Sequence, residues 1–392
     1  MREIKDIKNR LFSDEYVNTA RQKELDLLKG VAIVFMAIAH LIGMHEDYIR
    51  MTPAAEKIIY VLETVIARPF GATTFMVCMG VGIWYSAYNK GNREELLQGI
   101  IPSGLAKRGV LIFILGVLIN LVTCITLPLI GYIATGDEEL IAYMERFFDS
   151  DIYHFAGLAL LTMALIRKLK LKDTAMIPIA LCFSCMGWLL RGLSTGIFAI
   201  DRTTLYFWGS DPNAWFPLFN WFFSPVVGYF FAKLLARCKD KKLLYSIISP
   251  AGAVVIGVYI FICIKFNIGF AGLDDGYGYY WCTPIDAICY LGAVALLFGL
   301  AYWFTEVFKN KEFKTIRRWG KNLMWMYTVH WVLVAMSLGV EFLFGIEEIP
   351  LWSIFLMALL VTIATDRIVV FFKNKVTKKK VSASKGEKNE KV

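Results

Sequence analysis

One of the four histidines of this chain stands inside a strongly apolar stretch, where a titratable side chain is costly. His40 lies alone in the segment GVAIVFMAIAHLIGM. A group of this kind needs water or a polar partner in hydrocarbon, so its presence indicates function. At 1.5 Å per residue, His40 lies about 21 Å along its helix from Asp26. An imidazole there could deprotonate an amine or hydroxyl, or carry an acyl group itself.

Further polar groups are predicted at the depth of His40, near the outer leaflet. Arg68, just before Pro69, could hold a carboxylate, a phosphate or a developing oxyanion. His45 lies just outside the first apolar span, and a loop role and a site role are equally open for it. The candidate catalytic residues are His40, His45, Arg68 and His154. The candidate substrate-binding residues are Asp151, Arg191, Asp211, Asn220 and Asp286.

Structural roles compete with several of these assignments. His154 beside Asp151 could simply cap a helix start, and Arg191 and Asp286 could be interfacial charges. Asp366 and Arg367 are predicted to form a structural ion pair. His330, seven residues into its span, is predicted in the inner half of the membrane, as a packed histidine or as a site member.

The composition is that of a membrane protein: 392 residues, 57% hydrophobic and 19% charged, with a mean hydropathy of +0.54. The apolar residues form blocks of about 20, each long enough to cross the hydrocarbon layer. This excludes a soluble enzyme, a nucleic-acid-binding module and a disordered protein. Ten spans are predicted, at 26–44, 70–88, 110–132, 152–168, 174–192, 214–235, 243–264, 285–304, 323–344 and 351–372.

Lysine and arginine alternate from loop to loop. The loops after the second, fourth, sixth and eighth spans are basic, whereas residues 134–151 are acidic and residues 267–284 hold no Lys or Arg. The predicted fold class is therefore all-α, a polytopic bundle of about ten transmembrane helices with both termini cytoplasmic. Outer loops 194–217 and 267–284 suit a polar ligand arriving from outside, and residues 57–68 are predicted to form a re-entrant or interfacial helix broken at Pro69.

Three regions follow from this pattern: a cytoplasmic amphipathic segment at 1–24, the bundle at 25–372, and a basic disordered cytoplasmic tail at 373–392. The tail holds eight lysines and two glutamates, which accounts for much of the net charge of +9. Such a tail is attracted to anionic lipid headgroups, so no nucleic-acid partner is expected. The eight cysteines form no disulfide framework, and no metal site is expected.

Five stretches, in order from about residue 24 to residue 331, carry a family resemblance. ELDLLKGVAIVFMAIAH resembles the first transmembrane helix of membrane acyltransferases, with Lys29 where that pattern usually has Arg. ARPFGATTFMVCMGVGI, DIYHFAGLALL, AWFPLFNWFFSPVVGYFFAKLL and GKNLMWMYTVHW are similar to later motifs of the same proteins. The chain most resembles the heparan-alpha-glucosaminide N-acetyltransferase-like branch and, more distantly, the acyltransferase-3 branch.

The resemblance implies that an acyl group, usually acetyl, moves from cytosolic acyl-CoA to a sugar or glycan acceptor on the outer side. His40 falls on a position linked to catalysis in the family, as general base or acyl carrier. The residues implied for acyl-CoA lie at the cytoplasmic helix ends and along the way inward: Lys29, Lys107, Arg108, Arg318, Lys321, Asn322 and His330. The implied location is a bacterial plasma membrane, and the partners are the bilayer, acyl-CoA and the acceptor, with a homodimer left open.

Two functions from other classes compete with acyl transfer. A transporter of a small polar solute could use His40 and Arg68 to line its path. Transporters usually show interrupted spans in paired positions, and here Pro69 has no visible counterpart. The second alternative is a sensor or lipid-binding scaffold, and no feature of the sequence favours it.

Overall fold

The computed structural model describes residues 2–68, 71–211, 214–267 and 278–389, so Pro69 and most of the predicted outer loop 267–284 lie outside the described residues. Over the described ranges, all regular elements are helices, joined by three isolated β-bridges. The predicted all-α bundle is thereby confirmed. Helices are the expected solution because hydrocarbon offers no partner to an unpaired backbone group.

The long helices are those that carry the bundle. They are α2 (Lys23–Met44), α4 (Ala72–Asn89), α6 (Leu105–Asn120), α9 (Ile152–Lys168), α10 (Met176–Leu190), α13 (Phe223–Arg237), α14 (Lys241–Phe266), α15 (Pro284–Val307), α17 (Leu323–Phe344) and α18 (Leu351–Asn389).

Short helices cap or extend the long ones. They are α1 (Arg2–Leu11), α3 (Pro53–Tyr60), α5 (Arg93–Leu97), α7 (Leu127–Thr135), α8 (Glu139–Tyr143), α11 (Phe198–Thr204), α12 (Leu218–Trp221) and α16 (Lys314–Lys321). Two π-helical segments, Val61–Ala67 and Leu121–Thr126, continue α3 and α6 without a break in the helix. Three 3₁₀ turns complete the set, at Glu46–Tyr48, Met144–Phe148 and Asp173–Ala175.

Eight of the described helices are long and apolar enough to cross a membrane. The other two predicted spans are also helices, α4 and α9, but α4 is less apolar and α9 is short. Most side chains of α4 are buried against protein, including Thr73, Thr74 and Trp84. A helix enclosed by protein does not need the apolar surface that lipid requires. The count of ten spans stays a prediction.

The loops fall into two groups that match the predicted sides of the membrane. Among the predicted inner loops, Phe12 forms a β-bridge with Cys238, and the Asp173 backbone N–H donates to the Gly99 carbonyl. Among the predicted outer loops, β-bridges join 49 to 349 and 150 to 214. The cytoplasmic location of both termini stays a prediction that this pairing of loops supports.

Helix α2 lies against α16 so closely that only glycine fits at the crossing. A Cβ on Gly30 would overlap the carbonyl oxygen of Ile316, and one on Gly320 would overlap that of Asp26. Only Asn322 separates α16 from α17, so the ninth membrane crossing begins beside the inner end of α2 and then runs alongside it. These two helices carry His40 and His330.

One ion pair of the C-terminal region differs from expectation. Asp366 pairs with Arg318, at 3.0 and 2.5 Å, rather than with Arg367, because consecutive residues on a helix point in different directions. Helix α18 continues to Asn389, and the disorder predicted for the tail at 373–392 stays a prediction. Extending a helix that the membrane span has already nucleated costs little, and the tail is rich in lysine, which tolerates helix well.

Candidate functional site

Two histidines meet between α2 and α17. The Nδ1 atom of His40 lies 2.7 Å from Nε2 of His330, and the two rings are nearly parallel. The indole of Trp331 also stacks on His40, with 4.3 Å between the two ring centroids. His330 is 1% exposed, whereas His40 is half-buried. His330 is therefore closed to solvent, and His40 is the partly accessible histidine of the pair.

The hydrogen bonds assign the protons of this pair. Nδ1 of His330 lies 2.6 Å from the backbone carbonyl oxygen of Tyr327. A carbonyl oxygen only accepts, so His330 donates from Nδ1, and its Nε2 is the acceptor when the ring is neutral. His40 must then donate from Nδ1, which leaves a free lone pair on Nε2 of His40. This is the protonation state that a general base requires.

His330 lies at the level of His40, so the predicted separation of the two histidines into different halves of the membrane is wrong. The apolar stretch begins at residue 323, and depth counted from there places His330 too near the inner end. The helical crossing starts earlier, at α16, and Gly320 is already packed against Asp26. Counted from that contact, His330 is about 15 Å and His40 about 21 Å along neighbouring helices, close enough for their side chains to meet.

Asp151 and His154 join this cluster through Tyr327. The Tyr327 hydroxyl donates to both carboxylate oxygens of Asp151, at 2.7 and 2.9 Å. Asp151 caps α9, and Nδ1 of His154 accepts from the Asp151 backbone N–H at 3.1 Å, which completes a capping box. Tyr327 also packs edge-on against His40 and His330. The capping role of His154 is real, and it fixes Asp151 beside the histidine pair.

Arg68 caps the C-terminal end of the π-helical segment Val61–Ala67. Its charge affects Tyr280, a residue that Asp151 of the histidine cluster also affects. Burial raises the pKa of the Tyr280 hydroxyl, Arg68 lowers it, and Glu63 and Asp151 raise it further. Tyr280 thus lies within electrostatic range of both Arg68 and Asp151.

His45 is buried in a second cluster, and it does not touch the first. Its Nδ1 lies 2.6 Å from Oε2 of Glu341, and its Nε2 lies 3.0 Å from Oγ of Ser337. Both partners are on α17, beyond His330 in the chain.

The remaining predicted substrate-binding residues are dispersed. Asn220 is fully buried, donates to the Cys282 carbonyl at 3.2 Å and packs against Gly187, so it holds helices together. Asp286 forms a capping box with Thr283 at the start of α15. Arg191 is exposed at the end of α10, and Asp211 lies 3.9 Å from Arg202 in the loop that follows. None of these contacts links them to His40.

A cavity of about 240 Å³ opens between α2 and α4 at the predicted cytoplasmic end. Its lining includes Arg21, Lys29, Asp26, Tyr85 and Asn89. Both cations are bound to the Asp26 carboxylate, Lys29 at 3.1 Å and Arg21 through a bidentate contact. Two cations sharing one carboxylate leave a net positive charge, which fits an anionic group such as a phosphate.

The other residues implied for acyl-CoA lie around the same end. Arg318 is held by Asp366, and Asn322 accepts from Lys373, while Lys321 is exposed. Lys107 and Arg108 are exposed at the start of α6 and line neither this cavity nor a second one of about 270 Å³ beside Arg167. The structure thus brings Lys29 alone from this set into the cavity, together with Arg21.

Four members of these clusters are not among the site residues predicted from the sequence: Tyr327, Trp331, Ser337 and Glu341. Glu341 is a carboxylate at the end of an apolar span, and the rule that singles out His40 would also have found it. Tyr327 and Trp331 flank His330 in the sequence, but an aromatic residue in a span is usually only packing. No pattern in the sequence marks Ser337.

Comparison with known proteins identifies one family. The model of the catalytic domain of heparan-alpha-glucosaminide N-acetyltransferase matches residues 21–261, more than half of the chain. The matched range includes His40, Arg68 and Asp151, and it ends before α17. Searches of curated proteins and of solved structures returned no match.

Proposed function

The chain belongs to the heparan-alpha-glucosaminide N-acetyltransferase family, and from that premise we propose that it moves an acetyl group from acetyl-CoA to a sugar acceptor across the membrane. Family membership and the eight apolar helices make it a transmembrane acetyltransferase. The proposal adds the donor, the direction and the base. Acetyl-CoA enters from the cytoplasmic side, the amino-sugar or glycan acceptor binds on the outer side, and His40 acts between them.

The observation that carries the proposal is the His40–His330 pair. Acyl transfer to an amine or hydroxyl needs a base that takes the acceptor proton as the new bond forms. Nε2 of His40 has a free lone pair, because its Nδ1–H is held by Nε2 of His330 at 2.7 Å. His330 acts through His40 and is a positioning residue, fixed in turn by the Tyr327 carbonyl at 2.6 Å.

The step at this site is a direct acyl transfer by addition and elimination, without an acyl-enzyme intermediate. The acceptor nitrogen or oxygen attacks the thioester carbonyl while Nε2 of His40 takes its proton. The tetrahedral intermediate then expels the CoA sulfur, and His40 returns the proton to that sulfur. His40 begins and ends neutral, so the cycle needs no further acid or base.

The cavity between α2 and α4 supports entry of the donor from the cytoplasmic side. Arg21 and Lys29 there would hold a phosphate of CoA, with Asp26 orienting both cations. The cavity lies about 21 Å below His40 along α2, a span that the pantetheine arm must bridge along the helix. Lysine and arginine are the usual partners of such phosphates.

Arg68 suits the acceptor side of the reaction. Arg68 lowers the pKa of the Tyr280 hydroxyl and Asp151 raises it, so both lie within electrostatic range of that hydroxyl. A guanidinium there could bind an anionic acceptor or the oxyanion of the tetrahedral intermediate. A plasma-membrane location follows from an outer glycan acceptor and belongs to the same proposal.

The test is CoA release by the purified protein in detergent with acetyl-CoA and glucosamine. His40→Asn keeps an N–H donor for His330 but has no base, so it should lose activity by about 10²- to 10⁴-fold while keeping its thermal stability. His40→Ala also removes that hydrogen bond and should lose both. Normal CoA release by His40→Asn would refute the role of His40. Solute uptake into liposomes without CoA release would favour the transporter instead.

A further inference from the structure

A second hydrogen-bonded cluster lies farther along α17, and the proposed reaction does not use it. Ser337 Oγ lies 3.0 Å from Nε2 of His45, and His45 Nδ1 lies 2.6 Å from Oε2 of Glu341. A hydroxyl, an imidazole and a carboxylate in series, with the two ring nitrogens facing different partners, is the arrangement that activates a nucleophilic serine.

The fold places the three groups by simple helix geometry. Ser337 and Glu341 are four residues apart on α17, so they share a face of that helix. His45 caps the end of α2, where its backbone N–H donates to the carbonyl of Leu41 at 3.0 Å. His45 therefore reaches both α17 residues from across the helix interface.

The three side chains differ in burial: the carboxylate and the imidazole are buried, and the serine is not. Glu341 is 4% exposed and His45 is fully buried, whereas Ser337 is partly exposed. A buried carboxylate holds one imidazole tautomer, and an accessible hydroxyl is the group that a substrate can meet.

The hydroxyl of Ser337 has one hydrogen and two acceptors within reach. One is the carbonyl oxygen of Val334 at 2.7 Å, and the other is Nε2 of His45. Rotation of the hydroxyl moves the hydrogen from the backbone to the imidazole. With Glu341 ionised and accepting from Nδ1–H, Nε2 of a neutral His45 is free to accept it.

We propose that Ser337 is a second acyl-accepting centre, a serine nucleophile activated by His45 and oriented by Glu341. It takes a short acyl group from an ester or thioester. Oγ forms a bond to the acyl carbonyl as its proton passes to Nε2 of His45. The tetrahedral intermediate then releases the alcohol or thiol, which leaves with the proton from His45, and an acyl-serine ester stays on the chain.

The position of this centre suits a covalent acyl intermediate between His40 and the predicted outer side of the membrane. Ser337 is seven residues beyond His330 on the same helix, about 10 Å nearer the predicted outer end. Only the source of the acyl group rests on the proposed function. The reactivity of the serine does not depend on CoA, so the two ideas can fail separately.

The experiment is labelling of the purified full chain in detergent by a fluorophosphonate probe, in which Oγ attacks phosphorus and fluoride leaves. The wild-type protein should be labelled on Ser337, and Ser337→Ala should not be labelled. Glu341→Gln and His45→Asn should label at least tenfold more slowly. Thr328→Ala is the matched control, because that hydroxyl bonds to the Met324 carbonyl and to Tyr153, with no histidine partner, and it should label as wild type.

A second variant guards against loss of the fold. Ser337→Cys keeps the size of the side chain, and iodoacetamide should alkylate it faster than Thr328→Cys. An unlabelled wild-type protein, or labelling that persists in a folded Ser337→Ala, would overturn the proposal. So would equal alkylation rates for the two cysteine variants. CoA release measured on the same samples tests the proposed function separately.

Discussion

Replacement of His330 should slow the reaction although His330 itself never meets the acceptor. The ring of His330 has one link to the chemistry, its Nε2 lone pair 2.7 Å from Nδ1 of His40. His330→Phe keeps an aromatic ring against Trp331 and removes that acceptor. The Nδ1–H of His40 then has no partner, and the tautomer with the free Nε2 loses its stabilisation.

The size of the effect follows from that one hydrogen bond. Leaving a buried donor without its acceptor costs about 1–3 kcal/mol, and about 1.4 kcal/mol corresponds to a factor of ten. The productive tautomer of His40 should therefore fall by roughly 5- to 150-fold, and kcat should fall with it. KM for acetyl-CoA should change little, because His330 contacts His40 and the Tyr327 backbone rather than the cavity.

CoA release by single and double variants tests this reasoning. His330→Gln can present an amide oxygen to His40 and should recover part of the rate. Because His330 acts through His40, the double variant His40→Asn with His330→Phe should be no slower than His40→Asn alone. Two independent losses that multiply, or an unchanged kcat in His330→Phe, would refute the tautomer mechanism.

Three further predictions concern stability, each read from thermal unfolding in detergent. Tyr327→Phe removes the hydroxyl that donates to the half-buried Asp151 carboxylate, at 2.7 and 2.9 Å, and should lower the free energy of unfolding by about 1.5–3 kcal/mol. Adding Asp151→Asn should recover part of this loss, and a doubled loss would contradict the pairing. Gly320→Ala places a Cβ against the backbone of α2, so its melting temperature should lie well below that of Gly43→Ala, whose Cβ meets nothing within 4 Å. Equal melting temperatures would disprove the close crossing. Burial raises the pKa of Asp149 to about 6, so the folded state prefers the protonated carboxyl, and stability present below about pH 4 is lost as pH rises through about 6. In Asp149→Asn, the loss of stability between about pH 4 and pH 6 should be smaller by up to about 3 kcal/mol. A pH dependence equal to that of the wild-type protein would contradict this role of Asp149.

The class of the fold could be predicted, and His40 could be singled out as a candidate, because both depend on local composition. A block of about 20 apolar residues has few structures open to it in lipid, and a lone histidine in such a block is conspicuous without any knowledge of its neighbours. The family resemblance, confirmed over residues 21–261, supplied the reaction class.

The partners of His40 could not be predicted from the sequence, because they depend on how the helices align. The apolar residues of the ninth crossing begin at residue 323, but the polar helix α16 extends that crossing by more than two turns. That extension moves His330 from the inner half to the side of His40. Asn220 and Asp286 were predicted at the right depth for the site, but their side chains have structural roles. Asn220 donates to the Cys282 carbonyl, and Asp286 caps a helix.

The hydrogen-bonded series from His40 ends at the Tyr327 carbonyl, and a peptide oxygen cannot take up a proton and pass it on. His330 is thus a closed end rather than a conduit to either side of the membrane. In the reaction proposed above, the proton that His40 takes from the acceptor would return to the departing sulfur. We therefore expect transfer of the acyl group to be independent of the proton-motive force, with its free energy supplied by the thioester.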